Sequence, residues 1–301
     1  MDSSKPLRIG FVPEHFSTPL HFARSHYGLS STLIPFPSGT GHMISSIQSN
    51  EIDIGIGLTE GWVAGLGKAA VEGKDAGYRM VGTYVETPLC WAISTGAKRE
   101  NITEVQSLKG KKLGVSRIGS GSYVMGYVLA DSYGWLSPST TAASEAPFDI
   151  KPLQTFAALR AAVNDNTADF FMWEHFTSKR YYDNGEIKRI GEIYTPWPSW
   201  HIVASNEVLQ QRQKQLEELF TKLDAGVKYF NEHQEEAVGY ISTELDYSAE
   251  DAREWLKTVK FADGVKGVST GVVEETVKVL RKAGVLGEVE VEAMIGIGRK
   301  E

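Results

Sequence analysis

Four glutamates, Glu14, Glu60, Glu86 and Glu174, each stand where an apolar, strand-like run gives way to a polar turn. Carboxylates gathered at strand ends suit an amine, the N–H edge of an amidine-like ring or, with further ligands, a metal ion. Two other segments, Ser38-Gly39-Thr40-Gly41 and Gly119-Ser120-Gly121-Ser122, place small residues and hydroxyls directly before helical patterns. Free backbone N–H groups and the positive helix end would hold a phosphate, sulfonate or carboxylate there. Each feature also has a plain alternative: loop glutamates facing water, and serine or threonine caps closing helix ends. His15 and His175 lie beside two of the glutamates, and Thr59 directly precedes a third. Trp62, Trp91, Trp173, Trp197 and Trp200 could stack on a flat ligand, although tryptophans near strand ends more often fill the core. Of the five, Trp197 and Trp200, beside Pro196 and Pro198, read as loop aromatics.

Sharper motifs fail. "GIGLTEG" (55–61) misses the dinucleotide fingerprint by one residue, and its first two glycines fall inside the strand. There is no P-loop, no Gly-x-Ser-x-Gly elbow and no His-Glu-x-x-His pair. Spacing alone assembles no nucleophile, base and orienting residue, so no catalytic residue, metal ligand or cofactor is assigned. The one cysteine, Cys90, excludes an internal disulfide, and "TPLCWAIS" makes it a small buried strand residue.

The 301 residues are 42% hydrophobic, enough for one large or two medium cores. A net charge of −7 and the lack of a basic stripe argue against a nucleic-acid partner. The basic clusters Lys109, Lys111, Lys112 and Lys179, Arg180 read as solvated turns. No apolar run reaches the ~18 residues of a membrane helix. "MDSSKPLRIGFVP" enters a strand pattern at once and shows no leader, from which a cytoplasmic location is expected.

The elements that must position these groups alternate. "LRIGFV" is a strand, and Leu20, Phe22, Ala23 and Tyr27 mark a helix ending at Gly28. An extended stretch to Pro37 precedes a helix with Met43, Ile44 and Ile47 on one face, closed by Asn50, and Asp53 to Leu58 is a strand covered on both faces. From residue 112 the pattern restarts: "KKLGVS", a Gly-Ser loop, a helix, "FDIKPL", a helix capped by Thr155, then the strand "ADFFMWEHFT". Val163, Asn166 and Asp169 repeat the spacing of Ile47, Asn50 and Asp53, while Glu174 and Glu60 are out of step by two residues. Two such units predict two lobes, with ligands at the carboxyl ends of their strands. "IKRIGEIY" and "WHIVAS" add strands. Beyond Asn206 the chain becomes helical, with helices after Ser248 and Ser269 and no expected pocket chemistry.

"LRIGFVPEHFSTPLHFA", "PSGTGHMISSIQSNEIDIGIGLTEG", "LKGKKLGVSRIGSGSYVMGYVLA" and "ADFFMWEHF" together resemble the type II periplasmic-binding-protein fold over residues 5 to 205. They are similar to aliphatic-sulfonate and nitrate solute-binding proteins and to fungal thiamine-pyrimidine synthases. The resemblance implies an α/β, two-lobed fold, each lobe a helix-flanked mixed sheet, with two crossover strands as hinge. Lobe 1 would be residues 1–86 and 197–301, lobe 2 residues 87–196, with the ligand cleft between them. It carries ligand contacts onto Glu14, His15, Ser38, Gly39, Thr40, Thr59, Glu60, Glu86, Ser120, Gly121 and Ser122; Glu174 and Trp197 join them from the residue reading. The expected activity is binding of a small molecule with an anionic group and an amine or aminopyrimidine edge. The alternatives are an enzyme of thiamine-pyrimidine metabolism and a ligand-sensing regulator. Without a leader, delivery to a membrane transporter is not expected, and one cysteine cannot supply the synthases' cysteine-rich iron motif.

Overall fold

In a computed structural model, which describes residues 5–136 and 146–299, the alternating patterns become two sheets, each within its own unit. The first unit runs to Thr87 and resumes over Trp197–Lys278 and from Leu286; the second is Pro88–Pro196 with Val279–Val285.

The first unit begins with β1 (Arg8–Phe11), α1 (Thr18–Tyr27), β2 (Thr32–Pro35), α2 (Thr40–Gln48), β3 (Ile54–Leu58), α3 (Thr59–Val71) and β4 (Tyr78–Val85). The second holds β5 (Cys90–Gly96), β6 (Lys112–Val115), α4 (Gly121–Ser132), β7 (Asp149–Pro152), α5 (Phe156–Asn164), β8 (Phe170–Glu174), α6 (His175–Asp183) and β9 (Ile187–Tyr194). β10 (Trp200–Ser205) then completes the first sheet, followed by α7 (Asn206–Gln211), α8 (Gln213–Glu232), α9 (Gln234–Glu244), α10 (Ala249–Leu256) and α11 (Thr270–Lys282). The sheet orders are β2-β1-β3-β10-β4 and β7-β6-β8-β5-β9. In each, the first three strands are parallel, the fourth runs antiparallel to the third, and the fifth antiparallel to the fourth.

The repeated Asn-x-x-Asp spacing has a backbone cause. Asn50 and Asn166 both adopt the left-handed conformation, at φ 59° and 68°, which Asn tolerates and which turns the chain from helix to strand. Three residues later the carboxylate meets the neighbouring parallel strand. Asp53 Oδ2 accepts the Arg8 amide at 2.8 Å and Asp169 Oδ2 the Lys112 amide at 2.9 Å, while each aspartate's own amide bonds back to the same residue's carbonyl. Arginines neutralise both carboxylates: Arg8 at 2.7 Å and Arg212 at 3.4 Å on Asp53, Arg99 at 2.5 Å on Asp169.

The helical tail packs on the first unit. α8 buries Leu216, Leu219, Phe220, Leu223, Val227 and Phe230, an apolar stripe at i, i+3, i+4 and i+7. At Gly226 α8 approaches α1 so closely that a Cβ would sit 2.3 Å from the Pro19 carbonyl oxygen, so only glycine fits. Isolated bridges also tie Phe261, Gly267 and Ile295 to β4.

Three local expectations are corrected. Cys90 opens its strand only half-buried, its Sγ 3.5 Å from a Glu192 carboxylate oxygen, because the burial of β5 begins one residue later. Lys179 and Arg180 lie within α6, not in a turn. Trp197 and Trp200 are buried, both 3% exposed, because Trp200 opens β10 and Trp197 folds onto α3, as described below. No helix among the described residues is long and apolar enough to cross a membrane.

Candidate functional site

The carboxyl end of β3 runs into α3 without a loop: Leu58 is the N-cap, and Thr59 and Glu60 form the first turn. Thr40, at the start of α2, fixes this junction by accepting the Leu58 amide at 2.9 Å. The contact needs Gly61, where a Cβ would lie 2.8 Å from Thr40 Cγ2. The Thr40 hydroxyl is therefore engaged in the scaffold. So is Thr59: its amide bonds the Ser199 carbonyl at 3.1 Å, its hydroxyl donates to the Pro198 carbonyl, and it meets His201 Nδ1 at 2.8 Å. Nε2 of the same ring lies 3.4 Å from the Thr83 hydroxyl, which itself donates to the Gly267 carbonyl, so both ring nitrogens of His201 face hydroxyls. Burial holds His201 down to about 3, so it is neutral.

Glu60 differs. It is fully buried, and one carboxylate oxygen, Oε2, accepts the Trp197 indole N–H at 3.1 Å. The other, Oε1, is buried without a hydrogen-bond partner among the described residues. Burial pushes the carboxyl up to about 7, against the downward pull of its own amide and of Trp197. A carboxyl poised between protonated and ionised near neutral pH is an adaptable recognition group, with one oxygen open to a ligand donor.

The other expected residues of this unit have different fates. Glu86 is held below the usual carboxylate range: burial raises it, but Lys260 at 2.7 Å and Arg299 at 3.4 Å outweigh that. Both cations come from the C-terminal region. His15 is buried in an aromatic box, 4.5 Å from Phe16, 4.6 Å from Tyr247 and 4.3 Å from Trp255, where burial holds it neutral. Glu14 precedes a single 3₁₀ turn and uses its main-chain carbonyl to accept from the Ser17 amide and hydroxyl. Ser38 is exposed and bonds His42 Nδ1 at 2.7 Å, and Gly39 takes φ 79° as the N-cap of α2.

In the second unit Ser120 caps α4, accepting the Tyr123 amide, and meets the Ser122 hydroxyl at 3.0 Å. Ser122 Oγ in turn accepts the Ser116 amide at 3.2 Å, while Gly121 opens the helix, buried beside it. Glu174, last residue of β8, is the N-cap of α6 and accepts the Thr177 amide at 2.6 Å; burial pushes it up to about 7. Of the expected residues the structure therefore joins Glu60 to Trp197, threads Thr40 and Thr59 into their support, and links Ser120 to Ser122. Sequence reading missed His201, whose carbonyl accepts at 3.2 Å the indole N–H of Trp62, a residue read there as a possible stacking aromatic. Only the β3–β10 register brings His201 to Thr59, across more than a hundred residues of chain.

A family model for Ca3427-like periplasmic binding proteins matches residues 91–193. A protein of Candida albicans, the CA3427 gene product, is 39% identical, aligns over 99% of this chain and 98% of its own, and superposes with a TM-score of 0.87; it is described as defining a new family with the generic periplasmic-binding-protein fold. The chain belongs to the Ca3427-like family. Family membership accounts for the paired sheets, which have the two-lobed type II periplasmic-binding-protein fold. More distant structures share that fold alone. They include the alkanesulfonate-binding protein SsuA of Xanthomonas axonopodis pv. citri bound to MOPS (TM-score 0.75, 16% identity, 98% of this chain and 99% of that one). The nitrate-binding protein NrtA of Synechocystis is another (TM-score 0.73, 14% identity, 98% and 86%). No curated protein matches by sequence.

Proposed function

We propose that this Ca3427-like protein binds a small molecule and that Glu60 receives a hydrogen-bond donor of that ligand. The observation that carries the reading is the fully buried Glu60 carboxyl, held by Trp197 through one oxygen and left with the other unpartnered among the described residues. An unmatched buried acceptor is costly, so a position that retains one is best explained by a partner that arrives from outside. The donor is an amine or the N–H edge of an amidine-like or aminopyrimidine ring, because each places N–H groups opposite a carboxylate oxygen. Fold relatives described as binding alkanesulfonates and nitrate support small-molecule binding as the activity, with a ligand anion as a second recognition element. Of the strand-end groups, those before α2 and α4 suit that anion by backbone chemistry.

Native mass spectrometry of protein from its own cells, followed by denaturation and weighing of the released compound, tests the reading. One unaltered nitrogen-bearing compound supports it. A substrate and product pair would replace it with an enzyme of the same fold. Glu60→Gln should weaken binding of the released compound about tenfold, the worth of one charge-assisted hydrogen bond.

A further inference from the structure

Two tryptophans occupy matching places in the two sheets. Trp200, on β10, pairs with Leu58, the last residue of β3; Trp91, on β5, pairs with Glu174, the last residue of β8. β10 and β5 are the fourth strands of their sheets, each antiparallel to a central parallel strand that feeds directly into a helix. Both side chains are buried, at 3% and 4% exposure, and the indole Nε1 of each has no hydrogen-bond partner among the described residues. Trp62 and Trp197, also buried, both donate, to the His201 carbonyl and the Glu60 carboxylate. An indole N–H is a donor only, so nothing but an acceptor can satisfy it. One unmatched donor in a buried place is a defect. The same unmatched donor at the same register position of two separate sheets, at the strand ends where such folds take their ligands, is a repeated design.

We propose that Trp91 and Trp200 are ligand-recognition donors, each supplying its indole N–H to an oxygen acceptor of a small molecule: an oxyanion of the carboxylate or sulfonate type, or a ring carbonyl. In the second unit the cross-strand pairing sets Trp91 beside Glu174, so a donor and a carboxyl near neutrality adjoin on one face of the sheet. In the first unit the Trp200 ring lies 5.1 Å from Phe16, an apolar wall that keeps water from competing for the donor. The inference rests on the binding reading above but concerns the ligand's acceptors, whereas Glu60 concerns its donors.

The test is tryptophan-indole ¹⁵N NMR of the full chain titrated separately with methanesulfonate, acetate and cytosine. Trp91→Phe and Trp200→Phe assign the two signals. At least one probe should move the Trp91 or Trp200 indole proton downfield and slow its exchange with water, leaving Trp62 in place. The matching Phe variant should bind that probe about tenfold more weakly. The wild-type signals keep the test decisive if a variant folds poorly. Binding that moves neither signal and is lost in Glu60→Gln overturns this inference alone, as does binding that both Phe variants retain in full. Absence of binding by all three probes overturns it together with the donor-and-acceptor ligand on which it rests.

Discussion

Glu60 and Glu174 sit at the same junction of their two units, where the central parallel strand becomes a helix, and burial pushes both up to about 7. Their commitments differ. Glu174 is the N-cap itself and spends an oxygen on the Thr177 amide, so part of its chemistry closes α6. Glu60 lies two residues further in, past the cap position, which Leu58 holds instead; its own amide and Trp197 are the groups that favour its charge. Equal burial at equivalent junctions thus yields one structural carboxyl and one still open to a partner. The two-residue offset decides which is which.

The supporting aspartates offer the harshest way to break that comparison. Asp53→Ala strands two arginines and the Arg8 amide and should cost about 3 kcal/mol, measured by urea unfolding. Asp169→Ala, whose carboxylate is more exposed and meets one arginine, should cost about 2 kcal/mol. The reverse order would mean that the second unit leans on its turn more than the first.

Titration comes next. The folded pKa of each glutamate lies above its unfolded value, so the native state retains a proton that the unfolded chain has released between pH 4.5 and 7. Stability is lost as pH rises through that window, about 3 kcal/mol for each group. Buried His201 acts in the opposite sense, its depressed pKa removing stability as pH falls below 6.5. The difference between wild type and variant isolates each glutamate: from pH 5 to pH 7.5 the urea midpoints of Glu60→Gln and Glu174→Gln should rise relative to that of wild type. A wild-type slope in Glu60→Gln would remove Glu60 from the titrating set.

Smaller effects follow from the turns and caps. Asn50→Val and Asn166→Val should each cost about 1–2 kcal/mol, since a β-branched residue resists the left-handed region, while the Gly variants should be near neutral. Equal costs for Val and Gly would show that the Asn side chain, not the backbone, matters. Ser120→Ala, which removes the cap of α4, should cost about 0.5–1 kcal/mol by thermal melting. Lys260→Ala, which breaks an exposed pair with Glu86, should stay within about 0.5 kcal/mol.

Much of the scaffold was legible because it is local. The Gly28 stop, the Thr155 cap, the helix start after Ser248, the left-handed Asn50 and the Asn-to-Asp spacing all act within a few residues, and the structure shows each of them. The strand-end glutamates were legible as positions but not as states. Nothing near Glu86 in sequence announces Lys260 and Arg299, and nothing near Glu60 announces Trp197. Prolines around Trp197 signal a loop correctly, yet loop residues are buried when they fold over a helix start.

The sequence by itself determined the alternation of strands and helices, the doubling of the unit and the kinds of group at the strand ends, because period, caps and turn residues act over short range. Tertiary structure decided which groups were consumed. Register between strands distant in the sequence chose the partners of Thr59 and His201 and the places of the two unmatched tryptophans, and burial, a property of the whole packed unit, set the charge state of each carboxyl.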